Sequence, residues 1–176
     1  RLRALAATLE VLDLSANQIA SLAHVPIGSL RRLRDLRLSS NEIARIPAGA
    51  LDGLGRLEQL RLDHNRVRVV DAGALGALEA LQSLALDFNQ LRTLDTLGPL
   101  PKLRALRLGG NRVSDLSDLE RLPDLPSLRE LSAERNPAAR RQVYRATALR
   151  RFPQLTAIDG RAVTDEERER MGQLFG

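Results

Sequence analysis

The chain has 176 residues, of which 36 are leucine and only four are aromatic, so its core must be filled almost entirely by one aliphatic side chain. A composition of 43% hydrophobic and 28% charged residues excludes a disordered chain, the lack of a long uncharged apolar run excludes a transmembrane helix, and the absence of cysteine excludes disulfides and thiolate metal sites. The net charge is only +5 and acids are interleaved with arginines, which favours a solvated mixed-charge surface over a nucleic-acid-binding face.

Asparagine recurs along the chain at intervals of 24, 24, 24, 22 and 25 residues. Each asparagine lies in the frame L-x-x-L-x-L-x-x-N, which an aliphatic residue follows two positions later in the first five copies. The sixth copy is weaker, because Ala133 takes a leucine position and Pro137 ends the frame. The six asparagines are Asn17, Asn41, Asn65, Asn89, Asn111 and Asn136.

This frame, which runs from Leu9 to Asn136, resembles the leucine-rich-repeat family. The resemblance implies an α/β solenoid of about six coils, with a parallel concave sheet, mixed convex returns and a helical C-terminal cap. The L-x-L alternation predicts a short strand whose leucines point inward, with neighbouring strands about 4.8 Å apart. A buried asparagine amide can donate and accept, so the asparagines are expected to form a structural ladder along the axis.

The two ends of the chain differ. Residues 1–8 read as the tail of a preceding convex segment, with Leu2 and Leu5 facing inward, and we expect that earlier coils precede this sequence. The predicted organisation is a repeat array over residues 1–136 and a C-terminal cap over residues 137–176.

The cap is predicted to contain two helices. Asn136 and Pro137 suit the start of the first helix, Val143, Tyr144, Ala148 and Phe152 follow at helical spacing, and Pro153 ends it. Thr164 and Glu167 form a capping box that opens the second helix. The amino-acid sequence of the cap resembles the cap sequence of intracellular family members. These include axonemal dynein light chain 1, a phosphatase-1 regulatory subunit, the spliceosomal A-prime protein and ciliary repeat proteins.

The resemblance implies that a protein partner binds on the concave sheet. Phe88 is the sharpest candidate, because it is the only aromatic residue outside the cap and the frame exposes it; it is either an interface anchor or an ordinary exposed apolar residue. Asp63 and Asp87 are expected to pair with nearby arginines, and Gly109 and Gly110 to leave a local gap. The predicted partner-binding residues are Arg37, Arg61, Asp63, His64, Asp87, Phe88, Arg107, Glu134 and Arg135.

A second candidate surface is a run of arginines in the cap with no acid before Asp159. It is either a solvated helix face or a positive patch for an acidic partner such as a tubulin tail. RNA is the weaker alternative, since the aromatic residues Tyr144 and Phe152 are needed for the core of the cap and are not available to stack on bases. The residues of this basic cap patch are Arg140, Arg141, Arg145, Arg150 and Arg151.

The sequence therefore predicts a non-catalytic interaction module or scaffold of a larger cytoplasmic complex. A ciliary, axonemal or microtubule-associated assembly, with tubulin or axonemal components as partners, is the first expectation. The alternatives are a regulatory subunit that holds a phosphatase or signalling enzyme, and a spliceosomal or RNA-associated protein. We expect no metal, cofactor, membrane or small-molecule substrate.

Overall fold

A computed structural model of the chain describes residues 2–175, and side chains within residues 4–173. Ten short strands alternate with turns, and the central residue of each three-residue strand is a leucine. The strands are β1 Val11–Asp13, β2 Asp35–Arg37, β3 Arg45–Ile46, β4 Gln59–Arg61, β5 Val69–Val70, β6 Ser83–Ala85, β7 Ala105–Arg107, β8 Glu130–Ser132, β9 Ala157–Ile158 and β10 Arg161–Ala162.

Eight of these strands form one sheet in the order β1-β2-β4-β6-β7-β8-β9-β10. Neighbours are parallel, except that β10 returns antiparallel to β9. Each strand pairs with the strand of the next coil without a register shift, so Leu36 faces Leu60 and Leu60 faces Leu84. This arrangement confirms the predicted α/β solenoid with a parallel concave sheet.

The convex returns are irregular, as predicted. In the second and third coils they include the small parallel sheet of β3 and β5, and elsewhere they contain single 3₁₀ turns or the short helix α2, Ser117–Glu120. Gly28 and Gly53 let neighbouring returns touch, because a Cβ atom on Gly53 would lie 2.3 Å from the carbonyl oxygen of Gly28. The chain begins with the helical turn α1, Leu2–Leu5.

The core is a continuous stack of buried leucine, isoleucine and valine side chains between the two faces. Leu5 does not belong to it, since 47% of its surface is exposed, so the prediction that it faces inward was wrong. Its helical turn ends one turn before the first strand and places the side chain on the surface. The side chain of Leu2 lies outside the described residues.

Five of the six asparagines are buried and join successive coils. Asn89 is typical: its Oδ1 accepts a hydrogen bond from the N–H of Val67, and its Nδ2 donates to the carbonyl oxygens of Leu62 and Leu86. The predicted ladder is therefore present, but its bonds run from each side-chain amide to the backbone of its own and the preceding coil. Asn17 is exposed and bonds only to nearby backbone carbonyls of its own coil.

The cap starts differently from the prediction. Asn136 belongs to the ladder, where its Oδ1 accepts from the N–H of Val113, so it does not cap a helix. A 3₁₀ turn follows, and the helix α3 spans only Tyr144–Arg151, which leaves Val143 55% exposed.

The rest of the cap follows the predicted pattern. Tyr144, Ala148 and Phe152 are buried, and β9 continues the sheet beyond β8. Thr164 and Glu167 exchange backbone-to-side-chain hydrogen bonds at the start of α4, Asp165–Phe175, which confirms the capping box. Because the sheet runs without a break across residue 136, the division into array and cap stays a prediction. Within the described residues, no helix has the length and apolar character that crossing a membrane requires.

Candidate functional site

The concave face carries two rows of side chains, one on each side of the buried strand leucines. The predicted row is in register, since Asp13, Arg37, Arg61, Ala85, Arg107 and Ser132 are successive partners across the sheet. The sequence analysis missed the other row, which consists of Val11, Asp35, Gln59, Ser83, Ala105, Glu130 and Ala157. The two-residue period of a strand places both flanks of a buried leucine on the same face, and this signal could have revealed the second row.

The curvature of the sheet forms an open concavity of about 650 Å³ between β4 and β9. Its floor is made of small side chains, including Ser83, Ala85, Ala105 and Ser132. Charged side chains stand around this floor. They are Arg61, Asp63, Asp87, Arg107, Glu130, Glu134 and Asp159.

Phe88 lies at the rim of the concavity and is 41% exposed, as the frame predicts. Its backbone has φ +54°, in the left-handed region that the corresponding residue of the other repeat coils also adopts. The imidazole of His64 stacks on its ring, with centroids 4.5 Å apart and planes 16° apart. The guanidinium carbon of Arg135 lies 5.7 Å from the ring centroid.

The ring of Phe88 covers Gly110, so the predicted gap at the two glycines was wrong. A Cβ atom on Gly110 would lie 2.7 Å from Cδ1 of Phe88, and one on Gly109 would lie 2.9 Å from Oδ1 of Asp87. The space that the glycines leave is thus filled by side chains of the preceding coil. With His64 stacked on it and Gly110 beneath it, Phe88 offers a partner mainly its ring edge.

The carboxylates of Asp63 and Asp87 are held by hydrogen bonds. Asp63 Oδ1 accepts from the hydroxyl of Ser39 at 2.7 Å, and Asp87 Oδ1 accepts from the N–H of Gly109 at 3.0 Å. Burial raises the pKa of Asp87, while the Gly109 N–H and the charge of Arg107 act in the opposite direction. The predicted ion pairs were wrong, since no arginine among the described residues lies within 4 Å of either carboxylate.

The three arginines of the predicted row, Arg37, Arg61 and Arg107, differ in their partners. Arg37 donates from Nε and Nη2 to Oδ2 of Asp35, at 3.1 and 2.8 Å, and this hydrogen bond raises the pKa of the guanidinium. Arg61 and Arg107 form no ion pair within the described part of the chain. Arg37 was predicted as a partner-binding residue, and the structure shows that its guanidinium is already bound to Asp35, an acid of the row that the prediction omitted.

The basic cap patch does not exist as one surface. Arg145 binds both carboxylate oxygens of Glu167 and also donates to the carbonyls of Ile158 and Ala162. These bonds lower the pKa of Glu167 to about 2, chiefly through the hydrogen bond with Arg145. Arg145 therefore ties α3 to β9, β10 and α4, and it is not an exposed contact.

Two further arginines of the patch bind the convex side of the preceding coil. Arg150 pairs with Glu120, and Arg151 donates to the carbonyls of Glu120 and Leu122 and to Oδ1 of Asp124. The guanidinium of Arg151 also lies over the ring of Phe152, 4.9 Å from its centroid. The sequence count missed these partners because they precede the cap. Arg140 and Arg141 are exposed.

Catalytic or metal chemistry finds little support in the arrangement. Within the part of the chain that the structure describes, no three His, Asp or Glu side chains are grouped so that they could hold a metal ion. Asp63 and Asp87 are only partly buried, and among the described residues they line an open concavity and not an enclosed pocket.

Comparisons with known proteins agree with this geometry. Sequence profiles described as leucine-rich repeat match residues 7–67 and 74–176. No curated protein matches the sequence significantly. Among solved structures 212 chains match, so the fold alone does not select one function.

Two of these structures illustrate the range. In the SNF/U2A′ complex of Drosophila melanogaster, the matching chain is 24% identical with a TM-score of 0.57, over 94% of this chain and 80% of that one. In the Drosophila Toll–Spatzle complex, described as a hub in development and innate immunity, the identity is 28% and the TM-score 0.63, over 73% of this chain and 19% of that one. The first likeness shows the fold alone.

Proposed function

Because the chain belongs to the leucine-rich-repeat family, we propose that it is a protein–protein interaction module that binds a partner on its concave face. The observation that carries this proposal is the open concavity between β4 and β9, where charged side chains surround a floor of small residues. Small floor residues let the backbone of a partner approach closely, and the side chains of Arg61 and Arg107 form no ion pair within the described residues. The family and the fold are typical of non-catalytic interaction modules.

The proposed mechanism is passive. The asparagine ladder and the in-register sheet fix the backbone under the concavity, so the face is preformed. A preformed face binds without the entropy cost of ordering a loop. Phe88 is held between its neighbours and adds a rigid apolar edge at the rim.

The larger assembly is proposed from the cap sequence. We propose first that this assembly is a cytoplasmic axonemal or other microtubule-associated complex, because the amino-acid sequence of the cap resembles that of intracellular family members. Capture of an acidic tubulin tail by the cap is disfavoured, since Arg145 and Arg151 are bound to backbone carbonyls and carboxylates within the chain. RNA binding lacks support, because no free aromatic face is available at Phe88.

The test is site-specific photo-crosslinking in a lysate of the source organism. A benzophenone amino acid placed at Ala105, on the floor of the concavity, should give a discrete cross-linked protein. The same group at Ala72, which is exposed on a convex return, is the matched control and should not. Equal yields at both positions, or a product from Ala72 alone, would overturn the proposed function.

A further inference from the structure

The concavity has a charge opposite to that of the chain. Five carboxylates and two guanidinium groups line it, which gives −3 with His64 neutral, whereas the whole chain carries +5. The rest of the surface is therefore strongly positive. The unpartnered sheet face is the acidic part of a basic protein, and a partner experiences this local sign at contact distance.

The acidic character is strongest over β8. Glu130 and Glu134 lie on either side of Ser132 in the chain, Glu130 within β8 and Glu134 two residues beyond its end, and two residues of extended chain span about 6–7 Å. Neither glutamate has a hydrogen bond or ion pair from its side chain within the described residues. Asp159, directly after β9, borders the same place, and its Oδ1 accepts hydrogen bonds from the N–H groups of Ala133 and Glu134 and from the hydroxyl of Tyr144.

We infer that the concavity binds a basic segment of a protein partner, with a lysine or arginine of that segment placed over Ser132 among Glu130, Glu134 and Asp159. The inference rests on the proposed function and names the chemistry of its partner. A cation at this place gains attraction from three carboxylates and is opposed by Arg107, which is the cross-strand partner of Ser132 on β7. The same carboxylates would repel the phosphate backbone of a nucleic acid or an acidic peptide.

The size of the face limits the segment. From β4 to β9 there are four strand spacings, or about 19 Å. That length accommodates about 12 residues of a helix or about six residues of an extended chain. Ser83, Ala85 and Ala105 keep the floor low enough for the backbone of such a segment to lie close to the sheet.

The first measurement compares three fluorescent probes with the complete chain at about 0.1 M salt, where the Debye length is about 10 Å and each probe senses mainly the charge at its own site. The probes are a 12-residue peptide of alanine with lysine at helical spacing, its twin with glutamate at the same positions, and a single-stranded DNA of 12 nucleotides. Anisotropy should show the lysine peptide binding at least tenfold more tightly than the other two. Tighter binding of the DNA or of the glutamate peptide would overturn the inference.

The second measurement uses charge reversals of opposite sign. Glu130→Lys and Glu134→Lys should each weaken binding of the lysine peptide about threefold, from Coulomb's law for a change of two charges at about 7 Å in water, reduced about twofold by screening at that salt concentration. Arg107→Glu should strengthen it by a similar factor. Glu79→Lys makes the same charge change on an exposed site outside the concavity and should alter binding by less than about twofold. Circular dichroism verifies that each variant folds.

Several results would contradict the inference. An equal effect of Glu79→Lys would mean that only the net charge matters, and weaker binding by Arg107→Glu would mean that the arginines are the contacts. Self-association that Glu130→Lys abolishes, seen by sedimentation, would identify a second copy as the occupant. If the Ala105 cross-link forms while the glutamate reversals leave it unchanged, the inference fails and the proposed function stands; without that cross-link the proposed function itself fails.

Discussion

Removing one asparagine from the middle of the ladder tests how the coils are held together. Asn89→Ala deletes the acceptor of the Val67 N–H and one donor to each of the carbonyl oxygens of Leu62 and Leu86. It also removes a longer bond, of 3.3 Å, to the carbonyl oxygen of Asp87, which keeps the N–H of His64 as a donor. The carbonyl oxygens of Leu62 and Leu86 keep one hydrogen bond each, from Asn65 and Asn111 respectively, so none of the three carbonyls is left without a donor. The Val67 N–H alone is left buried without a partner.

The magnitude follows from this count. An unsatisfied buried N–H costs about 1–3 kcal/mol, and each lost bond to a shared carbonyl costs about 0.5–1 kcal/mol. We therefore expect Asn89→Ala to lower the free energy of unfolding by about 3 kcal/mol. In Asn65→Ala/Asn89→Ala the carbonyl of Leu62 loses both donors, so the pair should be more destabilising than the sum by about 1 kcal/mol.

Asn17→Ala is the matched control, because the same substitution in the same frame falls on an exposed side chain. Water can replace its two bonds to the carbonyls of Leu14 and Ser15, so the expected loss is below about 1 kcal/mol. Urea unfolding followed by circular dichroism measures both, and a 3 kcal/mol loss shifts the midpoint by about 1.5 M for a slope of about 2 kcal/mol per M. If Asn89→Ala and Asn17→Ala differ by less than about 0.5 kcal/mol, the ladder does not stabilise the stack as argued.

Three further predictions concern the rim and the cap. Gly110→Ala should destabilise the chain by about 2 kcal/mol, because it strains a backbone at φ +65° and its Cβ meets the Phe88 ring; in a Phe88→Ala background urea unfolding should show only about half of that loss, and an undiminished loss would contradict the contact. The depressed pKa of Glu167 contributes stability above its unfolded value of about 4.5 that is lost as the pH falls towards about 2. Glu167→Gln should remove this acid dependence of the melting temperature, and an unchanged profile would exclude the Arg145 ion pair as its source. Burial raises the pKa of Tyr144, the only tyrosine in the sequence. The contribution of its neutral phenol to the free energy of unfolding is therefore fully present below about pH 10 and is lost at higher pH, where the tyrosine of the unfolded state ionises. Its absorbance at 295 nm should therefore change together with alkaline unfolding, and ionisation in the folded state near pH 10 would disprove its burial.

The frame of leucines and asparagines predicts most of the fold because each coil repeats the same local problem. A two-residue strand period and a fixed turn leave one way to bury the leucines, and stacking then sets the register between coils. Arg61 and Arg107 could thus be placed on either side of Ala85 before any coordinates were known. Asn136 was placed in the frame correctly but given a second role, which its ladder bonds already exclude.

The side-chain partners could be predicted less well, because they depend on reach across coils and not on the frame. The acid Glu120 that binds Arg150 precedes it by 30 residues, and Glu167 follows Arg145 by 22 residues. A count of charges along the cap segment alone therefore predicted an exposed basic patch, although several of its arginines are bound to carboxylates elsewhere in the chain. At the rim, however, the frame places Phe88 and Gly110 at the same position of neighbouring coils. A large side chain beside a glycine could have indicated from the sequence that the ring packs over the glycine.

The net charge of the concave face depends both on the row of residues that the prediction omitted and on side-chain partners that the frame does not predict. The predicted contact set of the concave face contained four arginines and three acids, a net charge of +1. In the structure Arg37 is bound to Asp35, Arg135 lies against Phe88, and Glu130 from the omitted row and Asp159 from the cap join the lining, so the net becomes −3. A pI of about 11.0 therefore describes the chain and not the surface that a partner meets. In a solenoid, the charge that selects a partner is set by the few variable positions beside each buried leucine, and both of those rows have to be read before a partner class is inferred.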